Sequence, residues 1–296
     1  MHNIHISVSQ ERCMHHPQAP IGIYDSGLGG LSVLRQLWQK LPQESVIYVA
    51  DTARVPYGGR SPEEIQRFSH EIIDFMIENG VKMIAVACNT SSVIVLPALK
   101  RYQGVPVLGL AQAGAQLPPT IRRVGLLATE ATIRSQQYRR MLQLNHPFVE
   151  LHELACPDFV PLVESGRWEG AEAHQLVAER LKPLQEKGLD GVILGCSHFP
   201  YLARAIRASL GEKVALLDPA ERLVDKIAKE LSQNRLLNTD PQPSTHVYTT
   251  AHPASFQPLA ERYLEKELRH LRQSDLHGRL SQTPQQSPAL LLPVSL

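Results

Sequence analysis

The chain has 296 residues, enough for one large domain or two of ordinary size. Apolar residues make up 43% and charged residues 20%, and the net charge of +1 offers no basic field for nucleic acid or an anionic membrane surface. No stretch reaches the roughly 18 apolar residues of a membrane span and the first twenty lack the apolar core of a secretory signal, so a cytoplasmic protein is expected, without membrane or nucleic-acid partners.

Residues 1–20 are polar and punctuated by proline, the pattern of a flexible leader. The leader holds His2, His5, Cys13, His15 and His16, but not in a zinc-type spacing, so no metal is assigned to it. IGIY at 21–24 then predicts a strand that ends in the turn Asp25-Ser26-Gly27, and a helix from about Leu31 stops before Pro42. SVIYVAD at 45–51 predicts a second strand, followed by a loop with Pro56, Gly58 and Gly59. Ser61-Pro62-Glu63-Glu64 reads as a capped helix start, and that helix runs to Gly80. MIAVA at 83–87 is a buried-type strand that ends at Cys88-Asn89-Thr90; a helix to about Tyr102 and a strand at 105–110 follow.

The alternation then restarts. Strands are predicted at 124–129, 149–154, 191–195 and 214–218, with helices at 132–142 and within 171–187. The strand GVILG at 191–195 ends at Cys196-Ser197-His198. A helix at 220–233, a strand at 246–250 and a helix from about Pro253 to Leu271 return the chain to the first half. Residues 276–296, with Pro, Gln and a final apolar run, read as a disordered tail.

Strands alternating with helices of this length argue for parallel sheets. IGIYDS at 21–26 resembles VGLLAT at 124–129, and IAVACNT at 84–90 resembles VILGCSH at 192–198, at similar separations. The expected fold is α/β, with two similar lobes, each a mostly parallel sheet flanked by helices. Residues 21–112 plus 218–271 form the first lobe and 113–217 the second, with the active site in the cleft between them.

In open parallel sheets, ligands bind beyond the carboxyl ends of the strands. Asp25-Ser26, Cys88-Asn89-Thr90 and Cys196-Ser197-His198 all fall there. The four cysteines form no CxxC pair and read as free thiols. Two opposed thiols, one ionised and one not, suit inversion at the α-carbon of an amino acid, because a proton must leave one face and another arrive on the opposite face. Asp25 is the candidate partner of Cys88, and His198 that of Cys196. Asn89, Thr90 and Ser197 are candidates to hold carboxylates.

Each piece has a plainer reading. A cysteine after an apolar strand is usually buried filler, Asp-Ser-Gly is usually a turn, and His198 could be a core histidine. Tyr57-Gly58 could be loop structure. Their joint occurrence at equivalent points of two half-chains favours chemistry. The Gly-rich DSGLGG at 25–30 fits neither a phosphate-binding P-loop nor GxGxxG.

At these residues the chain resembles the glutamate racemase family, within the aspartate/glutamate racemase superfamily. The similar stretches are IGIYDSGLGGLSVLRQL (21–37), YVADTARVPYGGRSPEEI (48–65), ACNTSSVIVLPALK (87–100), LACPDFVPLVESG (154–166) and LGCSHFPYL (194–202), in order over about 21–268. The resemblance implies cofactor-independent interconversion of L- and D-glutamate, supplying D-glutamate for peptidoglycan. It implies catalytic Cys88 and Cys196, tuned by Asp25 and His198. It also implies substrate contacts by Asp25, Ser26, Tyr57, Gly58, Asn89, Thr90, Ser197 and His198. Glu164 and Thr129 lie in similar segments, and Cys156 is expected to be structural.

No metal, pyridoxal phosphate or nicotinamide is implied, and the only partner expected is the small-molecule substrate. The oligomeric state is open, with a homodimer among the expectations. Ser197 replaces the threonine usual in the family, and Ala111-Gln112-Ala113-Gly114 replaces a common Glu-Pro-Gly. The rival readings are racemisation of aspartate or another amino acid, and a non-catalytic binding protein that kept the cleft.

Overall fold

Strands whose residues are apolar on both faces need cover on both sides, and here they occupy the middle of two parallel sheets. The computed structural model describes residues 16–239 and 241–276. In the first half, β1 (Ile21–Asp25), β2 (Val46–Ala50) and β3 (Met83–Val86) are buried along their whole length. They are joined by β4 (Arg101–Tyr102), β5 (Val105–Gly109), β10 (Thr245–Thr249) and β11 (Leu271–Gln273) in a seven-stranded sheet of order β11-β10-β2-β1-β3-β5-β4. Every pairing in it is parallel except that of the two-residue edge strand β4 with β5.

A second sheet contains β6 (Arg123–Ala128), β7 (Glu150–Ala155), β8 (Gly191–Gly195) and β9 (Ala215–Leu217) in the order β7-β6-β8-β9, all parallel. Its centre repeats the first: β6 lies between β7 and β8 as β1 lies between β2 and β3. Cys88 and Cys196 therefore follow equivalent strands, β3 and β8.

The helices α1 (Leu31–Lys40), α2 (Pro62–Glu78), α3 (Asn89–Val95) and α4 (Leu110–Gly114) belong to the first half. α2 starts as the sequence predicts, with Ser61 as N-cap and Pro62 in the first turn. Ser61 Oγ accepts the Glu64 N–H at 3.2 Å and Glu64 Oε2 accepts the Ser61 N–H at 3.0 Å, a reciprocal cap worth about 1 kcal/mol. The second half holds α5 (Glu130–Arg134), α6 (Gln137–Asn145), α7 (Phe159–Glu164), α8 (Ala171–Gln185) and α9 (Ala203–Leu210). α10 (Pro219–Gln233) packs on both α1 and α4, and α11 (Gln257–Leu264) closes the described helices. Among the described residues no helix is long and apolar enough to cross a membrane.

Several expectations are corrected. The helix after Cys88 stops at Val95, and the chain reverses through Gln103 and Gly104, both at positive φ, to form the β4–β5 pair. The helix expected at 132–142 is two helices, broken where Gln136 takes φ 56°. The last helix does not reach Leu271: it ends at Leu264, Glu265 turns at φ 52°, and β11 follows. The helix α7 was not expected.

The last residues of the expected leader are packed against the fold. Buried Lys82 Nζ donates to the Pro17 carbonyl at 2.5 Å, and Lys82 N–H donates to that of Pro20 at 3.0 Å, so 17–20 lie against the first sheet. His2, His5, Cys13 and His15 fall outside the described residues, as does the tail beyond Leu276; His16 is exposed.

Candidate active site

The loop after β1 passes so close to the second half that only glycine fits. A Cβ on Gly29 would lie 2.4 Å from Ser197 Oγ and 2.5 Å from His198 Nδ1. A Cβ on Gly30 would lie 2.6 Å from the Asp25 Cβ and 2.8 Å from the Tyr48 hydroxyl. DSGLGG is thus a close-approach loop, and Asp25 fixes its start by accepting the Gly27 N–H on Oδ1 at 2.9 Å.

Hydrogen bonds join the carboxyl ends of the two sheets. Ser197 donates its hydroxyl to Asp25 Oδ2 at 2.7 Å. The Leu28 N–H donates to Glu164 Oε1 at 2.8 Å, and the Tyr201 hydroxyl donates to the Leu28 carbonyl at 2.7 Å. Thr90 and Thr129 share a hydrogen bond of 3.0 Å, and Thr132 lies 3.0 Å from Thr129. Asp25, Ser26, Cys88, Asn89, Thr90, Cys196, Ser197 and His198 are each no more than 5% exposed, so the sheets are closed over the site.

Cys88 is the residue before α3. Its thiol is pushed up to about 12, chiefly by burial and then by the negative charge of Asp25; the Ser91 N–H and hydroxyl pull the other way. Cys196 adds a smaller push in the same direction. All three cysteines of the described region are free thiols.

Cys196 has a different partner. Its sulfur lies 3.9 Å from His198 Nδ1, and His198 Nε2 lies 2.6 Å from Glu164 Oε1. An ionised Glu164 can only accept, so Nε2 carries a proton and Nδ1 faces the sulfur. Neutral His198 can then accept the Cys196 S–H, and the imidazolium can donate to the thiolate. Burial works against the imidazolium, but hydrogen bonds to Cys196 and Glu164 outweigh it and raise His198 well above the usual histidine range. Asp25 is raised as well, by burial, against the charge of His198 and the Ser197 and Gly27 hydrogen bonds.

The remaining expected residues line the same region. The Tyr138 hydroxyl donates to Asn89 Oδ1 at 2.6 Å, which leaves the buried Asn89 Nδ2 without a partner among the described residues. Tyr57 packs in one cluster with Cys88, while its hydroxyl bonds to Asp51. Gly58 meets the second half: a Cβ there would lie 2.9 Å from the Thr129 Cβ. Cys156 is fully buried after β7, with its sulfur toward the Leu154 carbonyl at 3.7 Å. No three His, Cys, Asp or Glu side chains among the described residues are grouped to hold a metal.

Cys196 is followed by a 3₁₀ turn, Phe199–Leu202, with Pro200 in its first turn, and then by α9. Sequence reasoning passed over Thr132 and Tyr138. The Thr129-x-x-Thr132 spacing is an N-cap signal, since Thr129 Oγ1 accepts the Thr132 N–H. Nothing local marks Tyr138 as the partner of Asn89.

The model of the Asp/Glu/Hydantoin racemase family matches residues 27–227. A glutamate racemase of Geobacter metallireducens is 41% identical over 266 residues, which are 88% of this chain and 98% of that protein. Among solved structures, glutamate racemase isoform RacE1 from Bacillus anthracis superposes with a TM-score of 0.84 at 34% identity, covering 88% of this chain and 99% of that one. Glutamate racemase from Francisella tularensis in complex with D-glutamate gives 0.82 at 34% identity, covering 88% and 98%.

Proposed function

The chain belongs to the Asp/Glu/Hydantoin racemase family and is an amino-acid racemase, and we propose that it interconverts L- and D-glutamate by a two-base reaction of Cys88 and Cys196. One thiolate removes the α-proton from one face of the substrate. The other thiol returns a proton to the opposite face, and the roles exchange in the reverse direction. The observation that carries this reading is the pair of cysteines after equivalent strands of two sheets whose carboxyl ends are joined by hydrogen bonds, Ser197 to Asp25 and Thr90 to Thr129. Asp25 serves the proton of Cys88 and His198 that of Cys196. Because Cys88 and Asp25 are both raised by burial, the closed site favours a proton shared between them over two adjacent anions.

Substrate specificity follows from the donors left for it. The free Asn89 amide suits the α-carboxylate, and the hydroxyls of Thr90, Thr129 and Thr132 suit the side-chain carboxylate. The Francisella relative bound to D-glutamate supports glutamate as the substrate. No cofactor takes part in the reaction as proposed, and its product serves peptidoglycan synthesis in a bacterial cytoplasm.

The test uses purified chain in chelator with L- or D-glutamate in deuterated water. Exchange of the Cα proton, with both enantiomers converging on a racemic mixture, is expected; no exchange would reject the reading. A parallel panel with aspartate and alanine should be at least about a hundredfold slower, and faster turnover of aspartate would reassign the substrate.

A further inference from the structure

Three buried hydroxyls beside Cys88 have no part in the reaction described above. Tyr24 on β1, Ser69 on α2 and Ser91 on α3 are each fully buried, and none of their oxygens has a hydrogen-bond partner within 3.5 Å among the described residues. A buried hydroxyl without a partner is costly, so three in one place need an explanation. They do belong to one place. Tyr24 pairs with Val86, two residues before Cys88, and the helices α2 and α3 that carry Ser69 and Ser91 pack on each other; Ser69, Ser91 and Cys88 all act on the Tyr24 phenol. Ser91 lies one helical turn after Cys88, which turns its N–H and hydroxyl toward the sulfur and lets both favour the thiolate, although at the distances seen here neither closes a full cap bond.

The two thiols are also served unequally. Cys196 has His198, which can carry a positive charge, whereas Cys88 faces the carboxylate of Asp25. A thiolate at Cys88 must therefore be held by neutral dipoles. We propose that Ser91, backed by Tyr24 and Ser69, is a positioning residue for Cys88: its hydroxyl donates to the sulfur as thiolate and accepts from it as thiol. With a thiolate, Ser91 accepts from Tyr24 and Tyr24 accepts from Ser69; with a thiol, the order reverses. Each hydroxyl can donate or accept, so either order can form, and no net proton is transferred along the row. The inference rests on the two-base reading of the site.

Two measurements test it. In the otherwise wild-type chain, Ser91→Ala should lower kcat/KM at pH 8 about tenfold and move the ascending limb of its pH profile upward by about half to one unit. Ser91→Thr, which keeps the hydroxyl, should restore both to within about threefold, and Tyr24→Phe should fall between. In a chain with Cys88 as its one cysteine, the rate of alkylation by iodoacetamide at pH 8 should fall about tenfold on Ser91→Ala. That rate needs no racemase activity, so it separates this inference from the proposed function. An unmoved pH limb together with unchanged alkylation in Ser91→Ala would overturn the role of Ser91, whatever the wild-type chain racemises.

Discussion

The Ser197 hydroxyl donates to Asp25 Oδ2 at 2.7 Å across 172 residues of chain, and this bond ties the end of β8 to the end of β1. It also takes up one carboxylate oxygen, while the Gly27 N–H takes up the other, so Asp25 is held in one orientation beside Cys88. A hydrogen bond to a charged group is worth about 1.5–3 kcal/mol, or roughly one to two powers of ten in rate. Ser197→Ala is expected to lower kcat/KM by about 10–100-fold with little change in the melting temperature. Ser197→Thr, which keeps the hydroxyl, should stay within about threefold of wild type. Equal losses in both variants, measured by polarimetry, would show that packing rather than the hydroxyl matters.

The three buried thiols make opposite predictions. Cys88→Ala and Cys196→Ala should each lower racemisation by at least about a thousandfold, since each removes one of the two groups that move protons. Circular dichroism should report an intact fold in both. Cys156 lies after β7, and its equivalent in the first sheet follows β2, which carries no cysteine. Cys156→Ala should therefore keep activity within about threefold. A loss as deep as that of Cys88→Ala would mean that the thiols are wrongly assigned.

The chain order alone carried the core of this architecture, because central parallel strands are apolar on both faces and stand out as continuous runs. The repeat of strand, cysteine and polar residues was legible for the same reason: β3 and β8 end where their apolar runs end. What the sequence concealed depends on contacts between distant segments. The Thr90–Thr129 bond joins residues 39 apart, the Tyr138–Asn89 bond residues 49 apart, and Leu28 meets Glu164 across 136. The short edge strands β4 and β11 carry too few residues for a period to register. The break between α5 and α6 has no glycine or proline at its centre, because Gln136 itself adopts the left-handed conformation.

Lys82 and Glu44 form an ion pair of 2.5 Å, with side chains 0% and 2% exposed. Lys82 also donates to the carbonyls of Pro17 and Leu236, and Glu44 accepts the Asn238 N–H, so the pair pins the segment before β1 and the segment after α10 to the first sheet. Removing one partner leaves an uncompensated buried charge, which costs about 3–5 kcal/mol. Glu44→Gln should lower the urea midpoint by a matching amount, while the kcat/KM of the protein that remains folded is unchanged. A midpoint within error of wild type would show that water replaces the lost partner.

Alkaline pH should destabilise the protein through its thiols. The folded Cys88 holds its proton up to about pH 12, and buried Cys156 is also raised, mainly by burial. An unfolded cysteine releases its proton near pH 8.5. Above that value the native chain binds more protons than the unfolded chain, so stability falls as pH rises, by up to about 1.4 kcal/mol per unit for each such thiol. Below about pH 7.5 both states hold the proton and the contribution vanishes. Urea unfolding between pH 7 and 10 should show this loss begin above pH 8. Cys156→Ala should remove about one thiol's share of the slope while leaving the acid side unchanged. A slope identical to that of wild type in this variant would mean that Cys156 ionises as easily in the folded chain as in the unfolded one.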